Sequence, residues 1–152
     1  MASTDPQAAV AWASQITDPD SKQRVVSSIA SGWANYSPTE AASYVSTLPV
    51  GEMQNSAALS VLNTWSHQDP EAAGAWARNF PEGNLRDNAW QSVVSQWAQN
   101  DPTGAGNWLK TLPEGKARDS AVRNFVSNLS YNYPETAAQW VESIPDLSLI
   151  HI

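Results

Sequence analysis

His67 is the side chain in this sequence best suited to hold a metal ion or move a proton near neutral pH. Either task needs partners. A metal ligand wants a second His, Cys or carboxylate at helical or turn spacing, and the positions equivalent to His67 in the other repeats hold Asn35, Gln99 and Tyr131. The pairs Asp69 with Glu71 and Glu82 with Asp87 have the residue types of an acid and its conjugate base, yet both pairs recur as local helix and turn signals rather than as a tuned couple. Eight Trp residues invite a third kind of chemistry, the stacking of aromatic faces on sugar rings. Seven of them, however, fall into two evenly spaced columns, and the eighth, Trp90, shares its column with Val26, Ala58 and Val122. That company predicts core. No catalytic, metal-binding or cofactor-binding residue is assigned, and the chain is expected not to be an enzyme.

What must position all of these is a repeat. Pro6, Pro38, Pro70, Pro102 and Pro134 stand 32 residues apart without insertion or deletion. Six residues after each comes Trp12, Tyr44, Trp76, Trp108 or Trp140, and four further on Ile16, Leu48, Phe80, Leu112 or Ile144. A second column holds Trp33, Trp65, Trp97 and Leu129. A fixed period of this size signals stacked supersecondary units.

Asp or Ser before Pro starts a helix: the side-chain oxygen caps a free N–H, and proline at the first position lacks a donor that would go unused. Ala9, Trp12 and Ile16 then make a stripe predicted to face the core. Pro49, Pro81, Pro113 and Pro145 stop this first helix, and Gly51, Gly83 and Gly115 allow the chain to reverse. The second helix carries a wider stripe, as in Ala89, Trp90, Val93, Val94 and Trp97. Such pairs, expected to be about 11 and 15 residues long, cannot close a core alone and must stack. Small residues at 8–9, 41–42, 73–74, 105–106 and 137–138 let helix axes approach. In the first unit ITDPDSKQR replaces the usual turn, with Pro19 in the glycine column, so the same hairpin with a different loop is expected.

The expected fold is therefore all-α, an α-solenoid of antiparallel helix pairs with right-handed superhelical twist. Residues 1–146 form one array, with repeats at 6–37, 38–69, 70–101, 102–133 and a partial 134–146. LSLIHI at 147–152 matches nothing upstream and is expected to be a non-native tail, translated sequencing adapter on a truncated metagenomic read.

Composition narrows the partners. A net charge of −7 with no run among the eight basic residues disfavours nucleic acid, which requires a positive surface. No apolar run approaches the roughly 18 residues of a membrane span. Cysteine is absent, and charged residues are 15% against roughly 25% in average domains, which tilts the expectation to an extracytoplasmic setting.

The helix pairs, aromatic and Ala packing columns and boundary prolines resemble tetratricopeptide and HEAT-type solenoids, although the period is 32 residues and DPxxAxxWxxxLPxG is a different consensus. The pattern also resembles a Trp-rich bacterial repeat type with no assigned activity. The resemblance implies scaffolding of a protein or peptide partner, with the varied residues Arg78, Asn79, Asn107, Lys110, Gln139 and Glu142 as contact candidates. A self-assembling module stacking head to tail is the first alternative. A fragment of an α/α toroid that acts on or binds carbohydrate is the second.

Overall fold

The computed structural model describes residues 5–142; the expectations placed on Ile144, Pro145 and the tail 147–152 lie outside them. Among the described residues there are nine α-helices and no strand: α1 (Pro6–Ala13), α2 (Pro19–Ala34), α3 (Pro38–Thr47), α4 (Glu52–Gln68), α5 (Pro70–Ala77), α6 (Asn84–Asn100), α7 (Pro102–Thr111), α8 (Lys116–Asn132) and α9 (Pro134–Glu142). They gather into two compact units that meet in sequence between Gln68 and Asp69.

The odd-numbered helices begin on the five prolines. Asp5, Asp69 and Asp101 each accept a hydrogen bond from the backbone N–H three residues on, at 3.0, 3.0 and 2.9 Å. Ser37 makes no such bond to α3. The short helices run 8 to 10 residues, less than the expected 11, because α1 and α5 end in tighter turns. There Ile16 and Phe80 bond back only three residues, to Ala13 and Ala77. The long helices reach 16 or 17 residues, since they start directly at the turn. Gly83 and Gly115 form that start at φ of 140° and 149°, a region open to glycine and strained for other residues.

The first hairpin replaces this device with another. Asp18 takes the cap and accepts from Ser21 N–H at 2.8 Å, so Pro19 becomes the first residue of α2. Ser21 holds the Asp18 carboxyl below its ordinary value, through its side-chain and backbone hydrogen bonds. A carboxyl depressed in the folded state contributes stability above its unfolded pKa and loses it as pH falls through the folded one. The urea midpoint of Asp18→Ala should therefore trail the parent near pH 6 and converge on it toward about pH 2.

In the first unit α2 packs against α4, α3 leans on both, and α1 rests on α2. Val26, Ile29, Ala30, Val45, Ala57 and Ala58 are buried. Polar groups tie the long helices together: Gln23 donates to Ser56 Oγ at 2.9 Å, and the Ser31 and Thr64 hydroxyls meet at 2.9 Å. The core stripe expected on α1 is not formed. Trp12 is 59% exposed and Ala13 is the buried residue, because α1 has its main contact on one side only, with α2.

In the second unit α6 lies among α5, α7 and α8, and α9 rests on α8. Trp90 is fully buried, and its indole N–H donates to the Ala77 carbonyl at 3.0 Å, giving a partner to a carbonyl at the end of α5. The Arg86 guanidinium covers the Trp90 ring at 4.6 Å. Trp108 meets Trp90 edge to face at 6.5 Å, and Trp140 meets Phe125 at 4.8 Å. Two glycines make room for these rings. A Cβ on Gly74 would stand 2.9 Å from Trp108 Nε1 and Cε2, and one on Gly106 would run into Trp140 Nε1 and stand 2.9 Å from its Cδ1.

Gly106→Ala sets two effects against each other. In a free helix the change gains about 0.8–1.0 kcal/mol. Overpacking a core costs about 1–3 kcal/mol, and here the obstacle is a buried ring packed on Phe125. Net destabilisation is expected in a denaturant titration, whereas Ala at an open helix glycine stabilises.

Candidate interaction groove

All six contact candidates are exposed. Arg78 and Asn107 come together and the other four do not join them. Arg78, the residue that ends α5, donates from Nη1 to Thr111 Oγ1 at 3.3 Å and from Nη2 to the Thr111 carbonyl at 3.2 Å. It thereby gives a partner to the last carbonyl of α7. Asn79 turns back on its own helix, donating to the Ala75 carbonyl at 3.2 Å. Lys110 lies over the Trp140 ring at 5.9 Å. Gln139 and Glu142 belong to α9, where Glu142 borders a separate shallow opening with Pro134, Ala138 and Val141.

Arg78 and Asn107 line a groove of about 480 Å³ between α5 and α7. Glu71 and Ala75 stand on the α5 wall, Gly104 and Thr111 on the α7 wall, and Asp101 at the start of α7. Trp97, from the end of α6, and Trp108 form the floor, with ring centroids 6.2 Å apart. Both rings are more than nine-tenths covered, at 9% and 8% exposure. The Trp108 N–H is sealed from solvent and makes no hydrogen bond within the described residues.

Trp97 differs from its counterpart in the first unit. Trp33, in the same column, donates from Nε1 to Glu40 Oε2 at 3.2 Å. The column of Glu40 holds Gly104 beside Trp97, and a Cβ there would stand 2.9 Å from Trp97 Nε1. The atom nearest to that Cβ position belongs to the Asp101 carboxylate, which stands beside the indole where the glycine leaves room for it. The groove floor and Glu71, Asp101 and Gly104 were missed as site residues at the sequence level; the column of Glu40 and Gly104 also holds Ala8, Ala72 and Thr136, so it carries no signal for them.

The residues weighed for catalysis lie elsewhere or are engaged. His67 is exposed in the last turn of α4, within the helix rather than in a connection. Glu82 pairs with Arg86 at 3.5 Å, and Asp69 caps α5. Among the described residues no three His, Asp or Glu side chains could hold a metal together, and no helix is long and apolar enough to cross a membrane. No known protein family, curated protein or solved structure matches the chain.

Proposed function

We propose that the hairpins stack as an α-solenoid with a 32-residue period and serve as a non-enzymatic scaffold that holds a protein or peptide partner, with the α5–α7 groove as its contact surface. The observation that carries this is the convergence of side chains from two successive short helices over a tryptophan floor. A single hairpin cannot build such a surface; neighbouring ones can. Hydrogen bonds at sequence separations of 33 residues, Gln23 to Ser56 and Arg78 to Thr111, support the stacking, since they join equivalent parts of successive hairpins. Selection of displayed peptides on the full chain tests the proposal. Enriched peptides should bind Asn107→Arg, which narrows the groove, roughly tenfold more weakly. Enrichment of no peptide, or equal binding to the variant, defeats it.

Head-to-tail self-association is a second reading, favoured by one observation. Trp12 is 59% exposed, while Trp108 and Trp140 in its column are buried against glycines. A second copy would cover that indole by a heterologous contact. Sedimentation that shows only monomer at every concentration removes this reading.

A further inference from the structure

We infer that the open face of α9 is the seat for Trp12 of a second copy of this chain, the indole lying over Ala138 as Trp108 lies over Gly74 and Trp140 over Gly106. This rests on the self-association reading and names the two surfaces that meet.

The first ground is what the repeat does with this face elsewhere. Ser130, Pro134, Ala138 and Val141 line an opening of about 390 Å³ at α9. Ser130 and Ala138 are exposed there. Their counterparts are all buried: Ala34 and Ala42 at α3, Ser66 and Gly74 at α5, Ala98 and Gly106 at α7. In the second unit the cover is the indole of the next short helix, since the Trp108 ring stands over Gly74 and the Trp140 ring over Gly106. The α9 face is thus one half of a contact that the chain makes twice within this unit. Ala138 brings a methyl group that the two glycines lack, so the ring seats farther out by that much. An alanine in this column is coverable, as Ala42 is 6% exposed.

The second ground is that α1 displays the other half. Trp12 is 59% exposed, against 8% and 9% for Trp108 and Trp140. The helix from Pro6 to Ala13 has no charged side chain, so it brings no like charge to Glu142 at the edge of the opening. The polar link of the repeat also has its counterparts. Glu142 stands in the column of Arg78 and Gln15 in that of Thr111, and Arg78 donates to Thr111 between α5 and α7. At the new contact the exposed Gln15 amide donates to the Glu142 carboxylate, with the donor and acceptor sides exchanged. Because the two faces differ, each copy can give one and receive the other.

The test uses two variants of the full chain. Trp12→Ala removes the entering ring and leaves the α9 face intact; Ala138→Gln fills the seat and leaves Trp12 intact. Both positions are exposed, so each variant should keep the thermal midpoint of the parent at low concentration. In sedimentation velocity the parent should shift to larger species as concentration rises, and each variant alone should stay monomeric. An equimolar mixture of the two should form a two-chain species and nothing larger, because one intact face of each kind remains. A mixture that stays monomeric overturns the inference and assigns the association to a contact between like faces. Variants that associate as the parent does overturn it too, and leave self-association through another surface standing. A parent that is monomeric at every concentration removes that reading and the inference together.

Discussion

Trp90→Ala should destabilise the protein by about 3–5 kcal/mol, the range for truncating a large aromatic in a packed core. Three contacts go at once. The ring is fully buried, it meets Trp108 at 6.5 Å, and Arg86 lies over it at 4.6 Å. Its N–H also serves the Ala77 carbonyl, which would be left without that donor. Trp90→Phe separates these effects, because it keeps most of the apolar volume and removes the donor, and should cost about 1–3 kcal/mol. Urea titration followed by circular dichroism measures both. A loss below about 1 kcal/mol for the alanine variant would show that the site relaxes freely and that Trp90 is no keystone of α6.

Two members of one column should respond in opposite ways. Trp108→Ala is expected to cost about 3–5 kcal/mol, since it empties the space over Gly74 and removes the partner of both Trp90 and Trp97. Trp12→Ala should stay within about 0.5 kcal/mol of the parent, as an exposed residue does. The contrast is measured in the same titration. Equal losses at the two positions would mean that Trp12 is covered in solution, which is what self-association requires.

That contrast also marks what a sequence of this kind reveals. The prolines and aspartates state where helices begin through bonds made within three residues, so the helix starts could be read directly. Trp65, Trp97, Trp108 and Trp140 are buried as their columns predict. Trp12 is not, because periodicity says which face of a helix is apolar and nothing of whether a neighbour covers that face. The groove was harder to foresee for a related reason. Arg78 and Asn107 stood out as variable residues, but the opening itself depends on which side chains α5 and α7 bring together and on the Arg78 side chain reaching across to Thr111.

The hydrogen bonds between neighbouring hairpins bear on kinetics as well. Gln23 reaches Ser56, Ser31 meets Thr64 and Arg78 reaches Thr111, each across 33 residues of chain. Within each unit the main helix contacts are likewise with the next helix or the next but one. The chain never has to find a distant segment before contacts begin to repay the lost freedom, and the entropy of closing each loop is similar and modest. Such local wiring belongs with low contact order, for which folding in microseconds to milliseconds is the order of magnitude. Within each unit a newly made helix can dock as soon as its predecessor is formed, so each unit is suited to fold in step with its own synthesis.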